Sequence, residues 1–205
     1  MKNFITLLAA TMLVLFLLIG YSTNVNSNLS QNIVRLHVLA NSDSEDDQSL
    51  KLKVRDAILE QSRTDFTKKE DVKFQLDIYK DIAEKIVAEN GYDYPVHVEY
   101  GNFSFPTKNY DRFSLPAGNY DAVRVKLGSA QGQNWWCVMF PPLCFVDGTT
   151  DAAYAESKLR SSISEESYDI ISAQNSKSTP FTIKFKIVEF YGKISGRDKI
   201  YAKTQ

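Results

Sequence analysis

The chain is 205 residues long, 43% apolar and 24% charged, which suits one globular domain with a buried core and argues against disorder. Its 24 Lys and Arg against 25 Asp and Glu leave a formal net charge of −1 without any basic block, which argues against nucleic-acid binding through phosphate contacts. Two cysteines and the lack of a C-x-x-C argue against a disulfide-framework domain.

The N-terminus stands apart from the rest. After Lys2, the run Phe4 to Ile19 is apolar except for Thr6 and Thr11. As a helix it would rise about 24 Å, short of the roughly 20 residues that usually span a bilayer. One positive residue before such a run is the pattern of a secretory signal, with Gly20 and Ser22 as small residues near a cleavage point. Residues 1–22 are therefore expected to be a signal peptide or an N-terminal membrane anchor, and either places the body of the protein outside the cytoplasm. Residues 23–31 are polar, small and aperiodic, and read as a tether.

Residues 33–40 alternate as a strand, with Ile33, Arg35 and His37 on one face and Val34, Leu36 and Val38 on the other. In the acidic stretch that follows, Ser42-x-x-Glu45 has the spacing of a helix-capping box, and the carboxylates suit the positive end of a helix better than a cation site. Leu50, Val54, Ala57 and Ile58 then recur at helical spacing, with Lys51, Lys53 and Arg55 turned outward and Asp47 paired to Lys51. A second amphipathic helix is predicted over 69–89, its stripe made by Val72, Leu76, Tyr79, Ala83, Ile86 and Val87, and Asn90-Gly91 ends it.

From Pro95 the period changes to two. Val96, Val98 and Tyr100 alternate with His97 and Glu99, and Phe103 and Phe105 extend the strand past Gly101. Residues 106–119 read as a polar connection, 120–127 as a strand, and 134–140 as a strand apolar on both faces, hence central, and the last two are expected to be adjacent central strands covered mainly by the amphipathic helices. A third helix is predicted over 152–163, a loose loop over 164–180, and a final strand over 181–187. This order is that of an α+β fold with a mainly antiparallel or mixed sheet of about five strands packed against about three helices, after the signal or anchor segment. The folded unit is a single domain over 32–192, and 193–205 form a polar tail.

No catalytic set stands out. G-x-S-x-G, H-E-x-x-H, P-loop and G-x-G-x-x-G motifs are all lacking, and two isolated histidines with two cysteines make no metal site. His37 and His97 lie inside alternating strands, where half-buried structural histidines are the commoner case. Cys137 and Cys144 are expected as buried thiols, with a bridge between them as the alternative if Pro141-Pro142 folds the chain back. Trp135-Trp136 could stack a sugar, but adjacent strand residues point to opposite faces, so one tryptophan belongs to the core and the other is at most a surface anchor.

Several stretches resemble a known family: RLHVLANSDSEDDQSLKLKVRDAIL (35–59), LPAGNYDAVRVKLG (115–128), GQNWWCVMFPPLCFVD (132–147) and FKIVEFYG (185–192). They are similar to stage II sporulation protein R of endospore-forming Firmicutes. The resemblance implies a protein made in the forespore and exported to the space between forespore and mother cell. There it would activate a membrane-embedded aspartic protease that matures pro-sigma E. It implies a signal and not an enzyme, with no cofactor and no catalytic residues to carry over. Polar or aromatic motif residues that a core does not need are the expected partner contacts: Arg35, His37, Asp43, Asn134, one of Trp135 and Trp136, and Asp147. The alternative from another class is a secreted hydrolase acting on cell wall or peptide through Cys144 or an Asp/His pair, and a glycan-binding module comes third.

Overall fold

A computed structural model describes residues 2–65, 68–110, 113–143 and 152–173. In chain order these form α1 (Lys2–Asn32), β1 (Val34–Leu39), α2 (Glu45–Asp65), a 3-10 helix (Lys69–Gln75), α3 (Leu76–Glu89), β2 (Val96–Phe105), β3 (Lys108–Asn109), β4 (Ser114–Leu115), β5 (Gly118–Leu127), β6 (Asn134–Phe140), α4 (Ala152–Ser162) and α5 (Glu165–Ala173). The expected final strand over 181–187 and the tail over 193–205 lie outside the described residues.

The strands form one four-stranded sheet in the order β2-β5-β1-β6, and β3 with β4 makes a separate two-stranded ribbon. β2 runs antiparallel to β5 and β6 antiparallel to β1, while β1 and β5 are parallel. The α+β expectation holds in its mixed form, but among the described residues the sheet has four strands where about five were expected, and there are six helices, one of them 3-10, where about three were expected. One correction concerns 120–127 and 134–140, expected to be adjacent central strands. β1 lies between them, and β6 is the last strand of the sheet among the described residues. A strand apolar on both faces needs a cover on each face and not a neighbour on each side, so its pattern could not tell an edge from a centre.

α2 and α3 cover one face of the sheet. Ser44, not Ser42, caps α2: its Oγ accepts from Asp47 N at 3.2 Å, and its carbonyl accepts the first helical bond from Gln48 N at 2.9 Å. Glu45, Asp46 and Asp47 fill the first turn, where the helix dipole favours negative charge. Asp47 turns back to the loop instead of along the helix, taking bonds from Ser42 Oγ, Asn41 Nδ2 (3.0 Å) and Tyr94 Oη (2.8 Å). The expected Asp47–Lys51 pair and outward Lys51 are corrected accordingly. Lys51 is buried, and its Nζ donates to Gln48 Oε1 and to the Gln133 carbonyl at 3.1 Å.

The predicted second helix begins as a 3-10 turn and becomes α-helical at Leu76. Val72, Tyr79, Ala83 and Val87 are buried as expected, and Leu76 and Ile86 pack against them partly exposed. Asn90-Gly91 does end α3. Tyr92 N bonds to Val87 O at 3.1 Å and Gly91 N to Ala88 O at 3.0 Å, a Schellman arrangement that requires the positive φ of 81° found at Gly91.

The other face is covered by different elements. Leu29 and Ile33 from the end of α1, Phe113 and Leu115 from the ribbon, and Leu159, Ile163, Tyr168 and Ile171 from α4 and α5 form a second core with Phe105, Tyr120, Ala122, Trp136 and Val138. Three expectations change here. The tether over 23–31 is helical, because Leu29 is anchored in this core and Lys69 Nζ bonds to the Gln31 carbonyl at 2.7 Å. The polar connection over 106–119 supplies core residues. The loose loop after 163 contains α5, capped by Ser164, whose Oγ accepts from Ser167 N at 3.2 Å. Phe4, Leu8, Leu13 and Phe16 of α1 are exposed, and among the described residues no helix is long and apolar enough to cross a membrane.

Candidate functional site

Register decides which predicted residues meet. Arg35 lies opposite Ala122 and Val138, and His37 opposite Arg124 and Trp136. Strand side chains alternate, so Arg35, His37, Arg124, Asn134, Trp136 and Val138 share one face, and antiparallel pairing adds Glu99, Phe103 and Phe105 from β2. Trp135 and Cys137 share the opposite face with Leu36 and Val38.

Arg35 is fully buried, although it was expected to be a residue the core does not need. Its guanidinium carbon lies 4.4 Å from the centre of the Phe105 ring and 5.2 Å from that of Tyr120. Nε reaches the Cys137 carbonyl at 3.5 Å, Nη2 reaches Tyr110 Oη at 3.4 Å, and Nη1 has no hydrogen-bond partner. Both bonds sit at the long limit of the geometry and go to neutral oxygens. Desolvating a cation costs several kcal/mol, whereas a cation–π contact returns about 0.5–2 kcal/mol. The aromatic cage thus offsets only part of the cost. The Tyr120 phenol donates to the Pro116 carbonyl at 2.8 Å, and burial pushes its pKa well above the usual phenol range.

His37 is likewise buried. Its ring stacks on Trp136 with centroids 3.7 Å apart and 16° between planes, and Nε2 lies 2.8 Å from Asn134 Oδ1. With the amide oxygen facing the ring, Nε2 carries the proton and Nδ1 is left as an acceptor without a donor. Burial lowers the pKa of His37 to about 3. The Asn134 bond opposes that shift, and the charges of Arg124, Arg35 and Lys126 add to it. The imidazole is therefore neutral at ordinary pH. Trp136 Nε1 is also buried and unpartnered. Phe105 touches all of these groups, with ring centroids 4.8 Å from Trp136 and 6.0 Å from both His37 and Tyr120.

Toward the C-terminal end of β5 the same face becomes charged. Glu99 pairs with Lys126 at 2.7 Å and with Arg124 at 3.5 Å, and the Arg124 guanidinium lies 3.6 Å from the Phe103 ring centre.

The remaining predicted residues lie apart. Trp135 is half-buried on the α2 side, with the Arg55 guanidinium 4.2 Å from its ring centre. Asp43 is exposed in the turn before α2. That turn is tied to the β5–β6 loop: Gly132 N bonds to Ala40 O at 2.9 Å, and Ser129 N bonds to Asn41 Oδ1 at 2.9 Å. A Cβ on Gly132 would meet Ser42 O at 2.1 Å, so this close approach requires glycine. Asn134 and Trp135 begin the strand that leaves this loop, so Asp43, Asn134 and Trp135 cluster at one end of the sheet. Asp147 and Cys144 lie outside the described residues. In place of the free thiol expected at Cys137, that residue is disulfide-bonded.

Phe105, Tyr110 and Tyr120 complete the Arg35 surroundings without having been singled out from sequence. The signal for Phe105 and Tyr120 was parity. Phe105 sits an even number of residues from Glu99 and so shares its face, and Tyr120 stands in the same relation to Arg124. Among the described residues, no group of three or more His, Cys, Asp or Glu is placed to hold a metal ion.

Comparison with known proteins bears on this same region. The profile of the family described as Stage II sporulation protein R matches residues 30–150, which contain the six described strands. Stage II sporulation protein R of Bacillus subtilis (strain 168) is 38% identical over 130 residues, covering 60% of this chain and 58% of that protein. No solved structure matches the chain.

Proposed function

Because the chain belongs to the stage II sporulation protein R family, we propose that it is an exported signal that activates a membrane-embedded aspartic protease and so triggers maturation of pro-sigma E in the mother cell. The observation that supports this most is that the family match covers the four strands of the described sheet, the aliphatic core under α2 and α3, and the loops at the sheet's ends. The surroundings of the candidate residues agree with a binding role. His37 is neutral and held by an amide, and Cys137 is disulfide-bonded on the opposite face, so the two do not form a nucleophile–base pair.

The six described candidates divide into two groups. Arg35, His37 and Trp136 act inside the fold, whereas Asp43, Asn134 and Trp135 can be reached from outside at the end where the 40–44 turn meets the 128–133 loop. A half-buried tryptophan stacked under an arginine beside exposed polar residues has the composition of an interface hot spot. The protease contact belongs at this end, and the apolar N-terminal helix delivers the domain to the extracytoplasmic side as a signal or anchor.

Co-expression with the membrane protease and its pro-sigma substrate in a host that does not sporulate is the decisive experiment. Processing should require this protein, and Asp43→Ala, at an exposed position, should reduce it while leaving the unfolding midpoint unchanged. Processing without the protein would end the activator reading.

A further inference from the structure

Arg35 is a cation in the second core, surrounded by rings and neutral oxygens, and one of its terminal nitrogens is unpartnered. The nearby buried donor Trp136 Nε1 and the acceptor His37 Nδ1 are unpartnered too. Among the described residues no ion pair includes Arg35, although Arg55, Arg124 and Arg160 each have a carboxylate within ion-pair distance. Water could fill hydrogen-bonding positions in this cluster but could not neutralise the charge. A carboxylate does both, because its two oxygens match the planar fork of a guanidinium and accept from several donors at once.

We propose that Arg35 is the receptor for a carboxylate that none of the described residues supplies. The group would bind at Nη1 within the cage of Phe105, Tyr120 and Tyr110. Access is through Tyr110, the half-buried residue that meets Nη2. It follows β3 in the ribbon, a two-stranded sheet hydrogen-bonded separately from the main one. The carboxylate can come from a free small acid or from an acidic side chain of a protein segment, and the chemistry at Arg35 is the same. This inference rests on the surroundings of the side chain and not on the protease reading, and its test contains no protease.

The test is thermal unfolding of the purified full chain with sodium acetate or a short poly-glutamate peptide, against sodium chloride at matched ionic strength. The wild-type midpoint should rise saturably with carboxylate beyond the chloride control. A response to both probes assigns a free acid as sufficient, and a response to the peptide alone assigns an acidic segment. Arg35→Met keeps the length and apolar stem of the side chain without its charge. It should fold with a midpoint at or above that of the ligand-free wild type and lose the carboxylate response. Arg35→Lys keeps the charge but not the fork, and should bind at least about tenfold more weakly. Three outcomes would overturn the proposal: no saturable rise with either probe, an equal rise in Arg35→Met, or an Arg35→Met chain that does not fold, since that last result means the charge is already compensated inside the protein.

Discussion

On the side of the sheet under α2 and α3, β1 contributes Val34, Leu36 and Val38 to a core that is largely aliphatic and free of buried charge within the sheet. On the other side the same strand contributes Arg35 and His37, and the core around them is aromatic, with polar atoms left unpartnered. Both sides are buried, but only on the second does a strand of the sheet itself carry a buried charge, Arg35. The aliphatic side gains from every methylene removed from water. The aromatic side holds polar groups at a cost that other interactions must offset. The contrast suggests that one side secures the fold and the other holds residues kept for a different reason.

The largest effect that separates the two sides should come from Leu36→Ala, which opens a cavity in the fully buried aliphatic core and should cost about 2–5 kcal/mol in chemical denaturation. Set against Arg35→Met, which should cost little or even stabilise, it gives the sharpest form of the comparison. If the two variants lose equal stability, the sides are equivalent and the distinction fails.

A pH dependence should follow from His37. Its folded pKa is held near 3, below the ordinary 6.5, so the unfolded chain takes up a proton that the folded chain refuses. Stability should therefore be level above about pH 6.5 and fall as pH drops toward 3, by about 2 kcal/mol between pH 6.5 and 5. His37→Phe should keep the stack on Trp136 and flatten that interval in a series of denaturation midpoints. An unchanged slope in the variant would mean another group is responsible.

Carboxylates enter only at lower pH. Burial pushes the Asp47 pKa up, but bonds from Ser42, Tyr94, Asn41 and Ser44 outweigh it and hold the carboxyl below its ordinary range. Its contribution should persist above about pH 4 and be lost as pH falls through the lowered folded value. The same bond pushes the Tyr94 phenol up to about 12.

Asn134→Ala should cost about 1–3 kcal/mol, because it leaves His37 Nε2 without its partner in a buried site. Asn134→Asp would add a carboxylate beside His37 and raise the imidazole pKa, which NMR titration of the ring would detect. The smallest effect belongs to Glu99→Gln, which loosens the Lys126 and Arg124 pairs on the partly exposed part of the polar side. It should change stability by less than about 1 kcal/mol and depend on salt.

The strands at 34–39, 96–105, 118–127 and 134–140, the helices that begin near Glu45 and end at Asn90, and the placing of the two tryptophans on opposite faces were all legible from periodicity and end signals. These features rest on interactions within a few residues, and a period of two or 3.6 records them directly. The family was legible too, through ordered blocks longer than any single element. Strand order was not, since an alternating strand reports which of its faces is apolar but not which strand lies beside it. The helical state of 23–31 was also beyond reach, because Asn- and Ser-rich turns become helical only when Leu29 has a core to enter.

The site shows the same division. The alternation of Arg35 and His37 with valine and leucine put both side chains on one face, and that much is a property of the chain alone. Whether that face meets water or aromatic rings depends on which distant segments cover it. Phe105 and Tyr120 come from β2 and β5, and Trp136 from β6. A polar residue in a strand is exposed by default, since burying it unpaired is costly. Only the tertiary structure, by bringing three other strands and the ribbon around Arg35, turned an apparent surface residue into a buried cation.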